Sequence, residues 1–177
     1  MSKRLNLREY QQNLIDQLQS ENLSIARVST LGVQIAGQNH LVDMADVGEV
    51  LPVPALTLVP FTKPWFRGVV NVRGNLYGVV DVAAYQQNGM ALRPLATSGD
   101  TVQAFGDSSN RILLVANRYA FNVALLVDNV LGLRDARDWR QNEANGQIKY
   151  QDEHGVVWQK LGVAALLEQP EFLQIGN

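Results

Sequence analysis

Residues 68–82 read GVVNVRGNLYGVVDV, two valine-rich runs on either side of a polar knot, Asn71-Val72-Arg73-Gly74-Asn75. β-branched residues at a period of two favour strands, and two such runs joined by a glycine–asparagine pair make a hairpin. A two-residue turn at Gly74-Asn75 pairs Arg73 with Leu76, Asn71 with Gly78 and Val69 with Val80. Asn71 and Arg73 then share a face beside the gap left by Gly78, an amide and a guanidinium at a notch on a rigid ribbon. That arrangement suits recognition. It equally suits two local roles, a salt bridge for Arg73 and a turn cap for Asn71.

The period of two extends along most of the chain. Leu31, Val33 and Ile35 alternate with Gly32 and Gln34; Gly37-Gln38-Asn39 is a turn signal, and residues 41–45 run back. Residues 47–53 form a third strand, ended by Pro52 and Pro54, and 60–65 (PFTKPW) form a loop fixed by two prolines. Residues 82–87 read as a short helix and the polar stretch 97–110 as a mobile surface loop. Strands resume at 112–117, at Phe121 to Val127 and at 130–133. Residues 134–146 read as charged and irregular, 147–151 and 156–159 as strands, and 163–168 as a closing helix. Ahead of all this, Leu7, Gln11, Leu14 and Leu18 mark an amphipathic helix over 4–19. Many short strands with few helices predict a mainly β protein built from small antiparallel barrels.

Shifted by 80 positions, residues 33–53 lie over 113–133 without a gap. Ala36 meets Ala116, Val47 meets Val127, and Val50-Leu51 meets Val130-Leu131. Strand, turn and strand keep phase, and a slip of one residue would invert every face. The repeat predicts two similar subdomains, 29–95 and 96–170, after an N-terminal extension (1–28) and before a tail (171–177).

Few residues offer chemistry. Cysteine is absent, so disulfides and thiolate sites are excluded. His40 and His154 read as surface histidines outside any metal-ligand spacing. Asp43, Asp46 and Glu49 are spaced by three, which on a strand alternates faces, so salt bridges or a solvated surface fit better than a metal site. Arg134, Arg137 and Arg140 are interleaved with Asp135, Asp138 and Trp139; a solvated linker fits better than a nucleic-acid patch. Trp65 and Phe66 are either core or the lining of a groove. With 15 Lys and Arg against 17 Asp and Glu, the formal net charge of −2 gives no pull toward nucleic acid or anionic lipid. The first 20 residues lack a secretory signal, and no run reaches the roughly 20 apolar residues that span a bilayer; the cytoplasm is the expected location.

The stretch G-V-V-N-V-R-G-x-x-x-x-V-V-D-V resembles the signature of the CheW-like family, the coupling proteins of bacterial chemosensory systems. Gly68, Asn71, Arg73, Gly74 and Asp81 fall on that signature. Val47-Gly48-Glu49-Val50 resembles the family's V-x-E-[VI], and Pro60 its proline before the hairpin. Residues 111–115 and 126–130 resemble its second half. The resemblance covers about residues 29–170. The N-terminal extension and the stretch from Tyr150 to Trp158 depart from the core pattern and resemble the type IV pilus (twitching motility) branch.

The resemblance implies two packed five-stranded SH3-like barrels and no enzymatic activity, metal or cofactor. It implies an adaptor between the cytoplasmic tip of a methyl-accepting receptor and the regulatory domain of a CheA-type histidine kinase. Such an adaptor is cytoplasmic and is recruited to membrane receptor arrays without inserting into the bilayer or binding nucleic acid. Its partner-binding residues would be Val47, Glu49, Val50, Asn71, Arg73 and Asp81, with Gly68, Gly74 and Asn75 shaping the turn. A flagellar chemotaxis role is the nearest alternative. A nucleic-acid-binding small barrel is opposed by the acidic charge balance, and an enzyme by the lack of a nucleophile–base pair.

Overall fold

The computed structural model describes residues 30–87, 97–98, 101–102, 109–144 and 147–176. The helix expected over 4–19 and part of the loop expected over 97–110 lie outside those residues.

The chain opens with β1 (Thr30–Ile35), β2 (Gln38–Asp43) and β3 (Val47–Pro52). A short β4 (Leu56–Thr57) precedes the hairpin of β5 (Phe66–Val72) and β6 (Asn75–Asp81), which runs directly into helix α1 (Val82–Gln86). Two short strands, β7 (Thr97–Ser98) and β8 (Thr101–Val102), pair with each other and extend from β4. Next come β9 (Arg111–Val115), β10 (Val123–Val127), β11 (Asn129–Arg134), β12 (Arg140–Ala144), β13 (Gln147–Gln151) and β14 (Val157–Leu161). Helices α2 (Val163–Leu167) and α3 (Pro170–Leu173) follow. The protein is mainly β, as the periodicity predicts.

The strands form two sheets, one of six in the order β11-β1-β2-β14-β13-β12 and one of eight in the order β3-β9-β10-β6-β5-β4-β8-β7. The two copies of the sequence repeat are β1-β2-β3 and β9-β10-β11. Each copy keeps its own hairpin and sends its third strand across: β3 pairs with β9, and β11 pairs with β1. Each hairpin also takes a parallel neighbour, β14 beside β2 and β6 beside β10. The likeness continues past those neighbours, where Asp81-Val82-Ala83-Ala84 and Gly162-Val163-Ala164-Ala165 each lead a short helix.

Two apolar clusters explain the valine and leucine content. The larger joins both sheets through Val33, Ile35 and Val42 on one side and Val80, Leu113, Leu125 and Val127 on the other, with Val82 and Leu166 from the helices. The smaller uses the opposite face of the eight-stranded sheet: Leu56, Val70, Val79, Ile112, Leu114, Ala124 and Leu126. Strands β9 and β10 are therefore buried on both faces, which is why RILLV and VALLV are apolar runs and not alternations. Leu51 and Val53, from one edge of the sheet, pack on the same cluster as Leu56 near the other. The sheet must curl to do this; in place of two closed five-stranded antiparallel barrels the described residues form two sheets of six and eight strands, each with one parallel pairing.

Several local expectations are corrected. The hairpin turns at Arg73-Gly74, not at Gly74-Asn75: Val72 pairs with Asn75, Asn71 with Leu76, and Val69 with Gly78. Arg73 and Gly74 have φ of 51° and 88°, and two positive values are what a type I′ turn requires. The first hairpin shifts in the same way, turning at Ala36-Gly37 with φ of 51° and 73°. Residues 140–144, expected to be irregular, form β12 and pair with β13. Stretch 97–110, expected to be a loop, contains β7 and β8. His40 is not at the surface. It is 3% exposed in β2, with Nδ1 3.1 Å from the Gln38 carbonyl, and burial lowers its pKa.

Candidate functional site

Glu49 lies on β3, beyond a bulge between Val47 and Glu49 that places Glu49 and Leu51 on the face toward the smaller cluster. Arg73 crowns the β5–β6 turn. No ladder joins β3 to that hairpin, yet the two side chains meet in a bidentate pair. Arg73 Nη1 and Nη2 donate to Glu49 Oε2 and Oε1, both at 2.7 Å. This hydrogen bonding to Glu49 raises the pKa of an already strong base. The Arg73 side chain remains 74% exposed, so N–H groups and the flat face of the guanidinium stay open to a partner. Asn71 Oδ1 accepts the Gly74 N–H at 2.8 Å and caps the turn. Both local roles foreseen for Arg73 and Asn71 are thus filled, while both residues remain on the surface.

The other predicted residues divide by burial. Val50 is exposed beside Glu49, and Leu76, opposite Asn71, is 60% exposed. Val47 is half-buried and packs on the large core. Asn75 begins β6 as a strand residue. The Gly78 gap is not a notch on the surface, because the Phe66 ring fills it; a Cβ there would lie 3.0 Å from that ring. Gly68 is structural, with φ of 121° and room for no side chain against the Thr57 carbonyl. Asp81, expected among the partner-binding residues, is not on the surface. It is fully buried, pairs with the equally buried Arg67 at 3.0 Å, and caps α1 by accepting the Ala84 N–H at 3.1 Å.

The acidic triple disperses. Asp43 pairs with Lys160 at 3.3 Å, Glu49 with Arg73, and Asp46 accepts bonds from Arg118 and from the Tyr119 hydroxyl. That bond to Asp46 raises the Tyr119 pKa. Trp139 packs on Trp158 with ring centroids 5.5 Å apart, and Arg134 lies over the same indole, so this arginine-rich stretch is built into the six-stranded sheet. His154 is exposed, as expected.

A second surface was less legible. A groove of about 1010 Å³ runs between α1 and α2, lined in part by Lys63, Trp65, Tyr85, Gln159, Lys160 and Gln169. Trp65 meets Tyr85 edge-on at 5.1 Å and stacks on Phe172 at 6.0 Å. Both readings of Trp65 therefore hold, since it is a core residue that also borders a groove. The remaining lining residues come from distant parts of the chain and share no motif. The loop expected over 60–65 is present, and with Leu58 and Val59 before it makes an exposed apolar turn; Phe61 is 87% exposed with φ of 59°.

Two curled sheets sharing one core, with an exposed ion-paired hairpin and an inter-helical groove, define a small two-sheet β scaffold. Among the described residues, no helix is long and apolar enough to cross a membrane. The chain belongs to the CheW-like domain family, whose sequence model matches residues 29–171. It is similar to Protein PilI of Pseudomonas aeruginosa, with 31% identity over 117 residues, 66% of this chain and 58% of that protein. The matched stretch thus spans little more than half of that relative. The crystal structure of scaffolding protein TtCheW from Thermoanaerobacter tengcongensis has the same fold, with a TM-score of 0.60 at 16% identity, covering 80% of this chain and 92% of that one.

Proposed function

We propose that the protein is a non-enzymatic chemosensory adaptor coupling a methyl-accepting receptor to a CheA-type histidine kinase in the control of type IV pilus twitching motility. The family match over residues 29–171 carries this reading, and the likeness to PilI supports the pilus branch. The adaptor works in the cytoplasm at membrane receptor arrays and needs no cofactor. Its task is geometric. The Glu49–Arg73 pair, with Val50, Asn71 and the half-buried Val47, forms the surface for one partner; the groove beside Trp65 and Tyr85 takes a receptor helix. Charged groups at the rim set register and encounter, while apolar contacts supply most of the affinity. Signal passes only where receptor states differ in free energy of contact with adaptor and kinase.

The test is a pull-down from the lysate of a twitching bacterium with wild type and Arg73→Glu as paired baits, analysed by mass spectrometry. Wild type is expected to recover a chemosensory kinase and a methyl-accepting receptor, and the variant to lose one of them. Recovery of neither by wild type would overturn the adaptor reading.

A further inference from the structure

The buried pair of Arg67 and Asp81 sits at the base of the hairpin. A bulge puts it there. Phe66 pairs with Val80 and Gly68 with Val79, so Arg67 is the extra residue on β5, and its side chain turns inward beside two other buried residues. The Asp81 carboxylate is then shared. Oδ2 accepts Arg67 Nε at 3.2 Å and Nη2 at 3.0 Å, and Oδ1 accepts the Ala84 N–H at 3.1 Å. The Asp81 backbone N–H donates to the Trp65 carbonyl at 2.9 Å. One residue therefore fixes both Trp65 and the start of α1. Those two elements meet again at the groove, where Trp65 packs on Tyr85 and the Tyr85 hydroxyl donates to Gln169 at 2.6 Å. The equivalent position in the other half is Gly162, which also lines the groove and gives α2 no side-chain cap. A buried charged pair is a poor source of stability, since desolvation consumes most of its attraction. Its directional hydrogen bonds instead constrain the geometry of the elements they join.

We infer that Asp81, held by Arg67, is a positioning residue for the groove: it sets the angle between Trp65 and α1 that a partner helix meets. The inference rests on the groove being a partner site, as proposed above. Asp81→Asn tests it. Asparagine still caps the helix but removes the negative charge that faces Arg67. The control is Leu114→Ala, a cavity in the smaller cluster on β9, which pairs with neither hairpin strand and lines no part of the groove. Both variants are labelled with 5-fluorotryptophan, which reports Trp65, Trp139 and Trp158 separately by fluorine NMR. They are also titrated with a purified soluble fragment of a methyl-accepting receptor's cytoplasmic tip.

The expected result is that Asp81→Asn moves the Trp65 resonance alone and weakens receptor binding by about tenfold, the scale of one lost hydrogen bond between charged groups. Leu114→Ala is expected to lower Tm while leaving the Trp65 resonance and receptor affinity unchanged. An Asp81→Asn protein whose Trp65 resonance stays in place, or whose three resonances all move together, would overturn the inference. So would a shifted Trp65 with undiminished receptor binding. If the wild-type protein binds no receptor fragment, the groove reading fails, and the Trp65 resonance still decides whether Asp81 sets that wall. Should the single variant not fold, Arg67→Met/Asp81→Asn removes both charges and is read in the same way.

Discussion

Gly68 and Gly74 lie in one hairpin, both with positive φ, and the structure predicts very different costs for placing alanine at each. At Gly74, φ is 88° and an added Cβ meets nothing within 4 Å. The cost is backbone strain of about 1–2 kcal/mol for an L-residue in that region. It is offset by about 0.4–1 kcal/mol, because alanine restricts the unfolded chain. Gly74→Ala should therefore lose roughly 1 kcal/mol or less. At Gly68, φ is 121° and the Cβ would lie 2.3 Å from the Thr57 carbonyl oxygen and 3.3 Å from Leu58 Cα. These are backbone atoms, so no side chain can swing away. Strand β4 must move off β5, where Thr57 pairs with Val69, and Leu56, 1% exposed, must leave the smaller cluster. Losing that leucine's burial costs about 1.5–3 kcal/mol on top of the strain. The total for Gly68→Ala is about 3–4 kcal/mol. For a chain of this size that corresponds to a fall in Tm of roughly 6–16 °C, against about 2–4 °C or less for Gly74→Ala. Urea unfolding followed by circular dichroism measures both. Equal losses at the two glycines would refute the close approach of β4 to the bulge.

Other expectations follow from the same geometry. Arg73→Glu should change stability by no more than about 1 kcal/mol, because the pair is exposed; in the exchange Arg73→Glu/Glu49→Arg, urea midpoints should return toward wild type. His40 is buried with a lowered pKa, so below about pH 6.5 the unfolded chain binds the proton more readily than the folded one. Stability is then full above that pH and declines as pH falls through the folded pKa; urea midpoints at about pH 5 and pH 8 should show this slope, and His40→Gln should flatten it. Phe61 takes the φ > 0 position after Pro60, where asparagine is at home. Phe61→Asn should leave Tm unchanged or raise it, and a clear loss would mean the ring packs in the folded state.

The strands were legible because β-branched residues at a period of two leave little choice of conformation, and the repeat was legible because its two copies keep phase. The turns were misplaced by one residue in both hairpins. Sequence favours Gly-Asn, and nothing local announces that Arg73 and Ala36 accept the left-handed region. In the structure, the Arg73 turn is supported by the Asn71 cap and the Glu49 pair, the second of which comes from a strand 24 residues away. Asp81 was legible as a motif residue but not as a buried one. A carboxylate at the end of a valine run reads as exposed until a bulge turns Arg67 inward to meet it. His40 reads as exposed because its neighbouring turn is polar, while its own side chain is buried in β2. The groove was not legible beyond Trp65, since its walls come from residues a hundred positions apart.

The crossed third strands bind the fate of the two repeats together. If the chain were opened between residues 87 and 97, neither fragment would hold a complete sheet, because each sheet draws on both sides of the cut. Each piece is the template on which the other is finished. Separately made pieces should therefore find each other and rebuild one particle, whereas either alone is left with strand edges that seek a substitute.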